Sequence, residues 1–271
     1  MSDAADQNRG NDGTRHAPHM EMLPDSKRTR QPMFRWIDLW VPLLCAAAVG
    51  ADALYLATAN LDSIVQNAVK PSAVVKQTLE HFGISLLVAV FVMAIALPLG
   101  VLITRRRFQW ISPGVLAFAN AGQAAPSIGL LAIIGIFYIG LWAVVGILTL
   151  YSALPVLRNT IVGLQQVDAG VKDAARGMGM SAAGILFRVE LPLAIPVIGA
   201  GARTALVLAV ATVAFGDYIG AGGLGGLLFG SIKLGRNEVL VLASLLIAVL
   251  ALIVDWAAGL MQRALTPRGI R

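Results

Sequence analysis

The 271-residue chain has one cysteine and three histidines. A single cysteine excludes an intramolecular disulfide and a cysteine-rich metal site. Cys45 lies inside an apolar run and reads as inert packing. Charge is scarce as well. Only 13% of residues are charged, where a soluble domain carries about a quarter. No Walker A sequence occurs, so the chain does not bind ATP through a P-loop. Neither His-Glu-x-x-His nor Gly-x-Ser-x-Gly is present, and no metal-ligand cluster stands out. The first 35 residues lack the apolar core of a signal peptide. No internal repeat is evident.

What the chain has is apolar length. Hydrophobic residues make up 57% and mean hydropathy is +0.76. Several runs approach the roughly 20 residues that cross a bilayer. The expected fold is all-α: a polytopic membrane protein with about six transmembrane helices. Residues 1–35 read as a disordered cytoplasmic tail, with His16 and His19 solvated. Residues 36–82 hold the first transmembrane helix and an external segment. Residues 83–262 form the main transmembrane domain, with a polar loop at 158–193, and 263–271 form a cytoplasmic tail. The spans are expected at 37–58, 83–103, 113–137, 141–157, 194–215 and 238–260.

Charges inside these runs carry information. A charge at mid-bilayer costs about 2.5–3.5 kcal/mol, so Asp52 is expected near the outer interface or facing other helices. Arg203 falls near the start of its run, where it can snorkel to the inner face. Asp217 and Asp255 are placed toward span ends. His81 beside Glu80 reads as a solvated pair. The net charge of +6 would suggest nucleic acid in a soluble protein. Here the basic residues sort by side instead. Arg105, Arg106, Arg107, Arg158, Lys172, Arg176 and Arg188 fall with both termini on one face, and only Lys70, Lys76, Lys233 and Arg236 on the other. That asymmetry puts both termini in the cytoplasm and argues against a nucleic-acid partner.

The polar stretch Asp173–Pro192 interrupts this pattern. Asp173-Ala174-Ala175 is followed after three residues by Gly179, after nine more by Val189, then by Leu191-Pro192. Ala174 and Ala175 favour helix, and Asp173 suits a helix's positive end. Gly179 can close that helix in a left-handed conformation. Ser181 is then an N-cap for a second helix, Ala182 to Glu190, which Pro192 closes. The spacing resembles the cytoplasmic coupling loop of binding-protein-dependent ABC importer permeases: Glu-Ala-Ala, three residues, Gly, nine residues, Ile, one residue, Leu-Pro. Asp173 replaces the Glu and Val189 the Ile.

Further segments are similar to the glycine betaine, carnitine and choline branch of these permeases. They are Gln123-Ala-Ala-Pro126-Ser127, Tyr151 to Thr160, and Ile219-Gly220-Ala-Gly222-Gly223-Leu-Gly225. The glycine run also satisfies the dinucleotide-binding pattern. That pattern needs a preceding strand, and a membrane span precedes it here. The glycines read as a tight turn at the outer mouth.

The resemblance covers about residues 80–260 and implies the type I importer permease fold in a bacterial inner membrane. It assigns Asp173, Ala174, Ala175, Gly179, Ser181, Val189, Leu191 and Pro192 to ATPase coupling. Asn120, Gln123, Pro126 and Ser127 fall in the translocation pathway, and Gly220, Gly222, Gly223 and Gly225 in an external gate loop. The implied partners are cytoplasmic ATPase subunits, an external substrate-binding protein, a second permease subunit and membrane lipid. The chain itself needs no cofactor, since ATP and Mg belong to the ATPase. The implied cargo is a compatible solute: glycine betaine, choline, carnitine or proline. The alternatives are an ABC permease for another small polar solute, or an ion-coupled secondary transporter. The latter needs ionisable groups deep in the bundle.

Overall fold

The computed structural model describes residues 36–267. The expected N-terminal tail, with His16 and His19, and residues 268–271 lie outside them. Eleven α-helices occur among the described residues, and no strand. Five of the helical runs are long and apolar enough to cross a membrane, and a bent pair makes a sixth.

Helix α1, Trp40–Thr58, follows a 3-10 turn at Trp36–Leu39. The short α2, Ser63–Ala68, is N-capped by Asp62, whose Oδ1 accepts from the Val65 N–H at 2.8 Å. Helix α3, Pro71–Ile103, is 33 residues long, about 50 Å at 1.5 Å per residue. It begins twelve residues earlier than the expected span. Pro71 starts the helix because the first turn needs no amide donor. Lys76 and Glu80, one turn apart, face each other on its exposed side.

The expected single span over 113–137 is broken. Helix α4, Ser112–Ala124, and α5, Ser127–Gly135, meet at 88°. The cause is local. Pro126 bars its predecessor from the helical region, and Ala125 is extended at φ −74°, ψ 139°.

Helix α6 runs Leu141–Gln165, α7 Ala169–Gly177 and α8 Ala182–Ile185. A π turn, Leu186–Glu190, leads into α9, Leu191–Val213. After a 3-10 turn at Ala214–Ile219 come α10, Gly225–Leu234, and α11, Asn237–Leu265. Helix α11 therefore runs into the stretch expected as a C-terminal tail.

The core lies among α3, α6 and α9, where Val88, Val92, Val144, Leu148, Val156, Ala209 and Val213 are buried together. Helices α6 and α9 approach closely at Gly201. A Cβ there would lie 2.6 Å from the Pro155 carbonyl oxygen. Small residues at such contacts let membrane helices pack by dispersion where lipid removes the hydrophobic drive. Helix α11 packs on α9, and α1 on α11. The start of α1 is fastened to α11 by Arg263, whose guanidinium grips Asp38 at 2.9 and 3.0 Å, and by Trp256, which donates to the Asp38 carbonyl. Asp52 is buried on α1, one of the two placements expected for it.

Candidate functional site

The loop after α6 is built from caps. Asp168, not Asp173, holds the N-terminus of α7; its Oδ1 accepts from the Val171 N–H at 3.1 Å. Asp173 lies in the second turn, exposed and paired with Arg176. Its expected place at the positive helix end is thus corrected: the chain turns helical five residues sooner, at the first residue able to cap. Ala175 is buried at 2% exposure, while Ala174 is exposed.

Gly179 takes φ +79°. Its N–H donates to the Arg176 carbonyl at 2.9 Å, and the Met180 N–H to the Ala175 carbonyl at 3.2 Å. These two bonds are the Schellman closure of a helix by a left-handed residue. Ser181 then caps α8, its Oγ accepting from the Gly184 N–H at 3.1 Å. Beyond it the expectation fails. Pro192 does not close the second helix; it sits in the first turn of α9, and the helical run continues from Ala182 to Ile219. Proline is tolerated in a first turn, and Pro192 falls there, just after the π turn. Val189, Leu191 and Pro192 are half-buried, whereas Met178 and Phe187 project into solvent at the loop's tip.

The π turn ends on Glu190, which is 7% exposed. Its carboxylate meets the Arg105 guanidinium at 2.8 Å, so the loop is tied to the end of α3. Sequence reasoning took Arg105 only as a marker of sidedness. The available signal was an acidic residue standing directly before an apolar helix.

At the opposite end of α9 lies the glycine run. Gly220, Gly222 and Gly223 all take left-handed φ, between +78° and +84°. Gly225 opens α10 against the Ala214 carbonyl, where a Cβ would have only 2.1 Å. His81 is not the solvated residue expected; it is fully buried. Its Nε2 lies 2.9 Å from the Val210 carbonyl, and its Nδ1 3.3 Å from the Leu224 N–H. One donor and one acceptor describe a neutral imidazole. It fastens α3 to α9 and to the glycine run. The loop before α6 joins the same cluster through the Gly140 N–H and the Ile219 carbonyl at 2.8 Å.

The residues expected along a pathway are not brought onto one helix face. Asn120 is exposed on α4. Gln123 donates to the Tyr151 carbonyl of α6 at 3.3 Å. Pro126 forms the bend, and Ser127 is buried at the start of α5. The 88° turn removes the common face that uninterrupted helical spacing would have made.

Two charges from helix interiors meet instead. Arg203 stands twelve residues past Leu191, the first residue of α9. It grips Asp255 of α11 with two bonds, Nε to Oδ1 at 2.9 Å and Nη2 to Oδ2 at 2.6 Å. Asp255 lies ten residues before the end of α11.

Residues 96–267 match the family model described as binding-protein-dependent transport system inner membrane component. The osmoprotectant import permease protein OsmW of Salmonella typhimurium is 38% identical over 200 residues, covering 72% of this chain and 92% of that protein. The carnitine transport permease protein OpuCB of Listeria monocytogenes is 36% identical over 197 residues, with 72% and 89% covered. The glycine betaine/carnitine/choline transport system permease protein OpuCB of Bacillus subtilis is 34% identical over 196 residues, with the same coverage. Among solved structures, an inward-facing form of the MetNI methionine ABC transporter aligns with a TM-score of 0.63 at 26% identity. That alignment covers 76% of this chain and all of that one.

Proposed function

The chain belongs to the family of binding-protein-dependent transport system inner membrane components and is the permease subunit of an ABC importer; we propose that its cargo is a compatible solute such as glycine betaine, carnitine or choline. The observation that carries this reading is the 34–36% identity to permeases named for these solutes, beside 38% to one named for osmoprotectant import. Family membership implies an ATPase and a substrate-binding protein as partners. In this reading the ATPase is a separate cytoplasmic subunit holding ATP and Mg, the binding protein docks outside, and a second permease subunit completes the pathway.

The chain's own residues supply the mechanical link. Met178 and Phe187 are exposed apolar side chains on the loop that the turn at Gly179 projects. ATP binding closes the ATPase dimer and displaces α7 and α8. Two routes lead onward from there. The π turn passes directly into α9. The Glu190–Arg105 pair carries the displacement to α3, whose other end is held through His81 to the glycine run. Gly220, Gly222, Gly223 and Gly225 act at the outer gate, and α4 and α5, with Asn120, Gln123, Pro126 and Ser127, border the path. Alternating access follows from differential binding to two bundle states.

The test of cargo is uptake by liposomes holding the whole complex with its binding protein. Labelled glycine betaine, carnitine and choline are offered against methionine. Uptake of at least one of the three, uncompeted by excess methionine, is expected. Uptake of methionine alone would overturn the assignment.

A further inference from the structure

Among the described residues, five of the six ion pairs lie in loops or near helix ends; Arg203–Asp255 is the one that joins the interiors of two spans. Arg203 lies about 18 Å along α9 from Leu191 at 1.5 Å per residue. Asp255 lies about 27 Å along α11 from Asn237 by the same rise, so both charges sit in helix interiors. Charged groups there face a water-filled cavity or another protein surface rather than lipid. Yet this pair is not enclosed by its own chain. The side chains are 38% and 37% exposed and open onto a groove of about 680 Å³. The groove walls include the small Ala200, Thr204 and Ala211 of α9, beside the larger Leu208 of α9 and Leu252 of α11.

We propose that Arg203 and Asp255 form an exchangeable ion pair that receives a small zwitterionic solute inside the membrane, the guanidinium taking its carboxylate and the carboxylate its quaternary ammonium. This rests on the cargo reading above. The chemistry is matched at both poles. The planar guanidinium already presents two parallel N–H donors to a carboxylate, and a solute carboxylate satisfies the same fork. A quaternary ammonium has no N–H to donate. It needs only a facing negative charge and apolar walls for its methyl groups, and Asp255 with Ala200, Val207 and Ala251 supply these. Charge balance gives selectivity. The empty site is neutral, and a zwitterion leaves it neutral. A solute bearing only the ammonium, such as choline, leaves a net positive charge between apolar walls, where charge is costly.

The test uses the complete reconstituted importer. In Arg203→Gln/Asp255→Asn both charges are removed with little change of shape, so no unpaired charge is left to prevent folding. The ratio of maximal glycine betaine uptake to maximal choline uptake should fall about tenfold, the scale of one lost charge-assisted hydrogen bond. Assembly with the ATPase, read by gel filtration, should be unchanged. Separately, Thr204→Cys in a Cys45→Ala background should be protected from maleimide by glycine betaine and not by choline. An unchanged uptake ratio overturns the inference. So does a Thr204→Cys thiol that glycine betaine leaves unprotected, or one that cross-links to a second permease subunit, since the groove would then be a subunit contact. Absence of uptake of all the compatible solutes by the wild type defeats the cargo reading and this inference together, whereas normal uptake with an unchanged ratio defeats this inference alone.

Discussion

Glu190 and Asp173 are both acidic, both ion-paired and both in the loop between α6 and α9, yet their surroundings give them different weight. The Asp173–Arg176 pair is two-thirds exposed on each side, and such a pair contributes about 0–1 kcal/mol. The Glu190 carboxylate is buried against Arg105. Removing one member of a buried pair costs about 3–5 kcal/mol, and the partial exposure of Arg105 places this case below that range. Glu190→Ala should therefore lower the melting temperature of the detergent-solubilised protein by several degrees, while Asp173→Ala shifts it little. Thermal unfolding followed by intrinsic fluorescence compares them directly. Equal melting temperatures would show that the Arg105 contact does not hold the loop to α3.

The junction of α7 and α8 depends on one backbone conformation. An added Cβ at Gly179 meets nothing within 4 Å, so the cost of a side chain there is purely conformational. It is about 1–2 kcal/mol for most residues and smaller for asparagine, which tolerates left-handed φ. Gly179→Val should insert and assemble, yet lose most of the stimulation of ATP hydrolysis by the binding protein; Gly179→Asn should retain more of it. Full stimulation in the valine variant would remove this turn from the coupling path.

The same junction shows what the sequence made legible. Gly179 and Ser181 act through bonds to residues at most five positions away, so local chemistry was enough to place them. Pro192 misled because proline both stops helices and starts them, and the π turn before it leaves no local mark. The bend at Pro126 was half readable: the proline was evident, but not that two helices would part by 88°. Arg203–Asp255, Arg105–Glu190 and His81 with Leu224 pair across 52, 85 and 143 residues. No periodicity reports such pairings, and His81 reads from the sequence as solvated for that reason.

At the scale of the molecule, α3 reaches from the loop between α6 and α9 to the glycine run, with Arg105 fastened just past one end and His81 toward the other. Such a rod is useful only if its two ends lie on opposite sides of the bilayer. The distribution of Lys and Arg predicts that Arg176 is cytoplasmic and Lys70 external. In intact cells, a membrane-impermeant thiol reagent should label Lys70→Cys and leave Arg176→Cys unmodified, both in a Cys45→Ala background. The reverse pattern would invert the topology.

The central claim is that this chain moves solute under the drive of a separate ATPase. Its most direct measurement is ATP hydrolysis and solute uptake followed together in liposomes holding the permease, ATPase and binding protein. The account predicts accumulation that requires ATP, rises in step with hydrolysis and is largely lost in Gly179→Val. Uptake that proceeds without ATP and follows an imposed proton or sodium gradient would contradict it, and would make the protein an ion-coupled transporter.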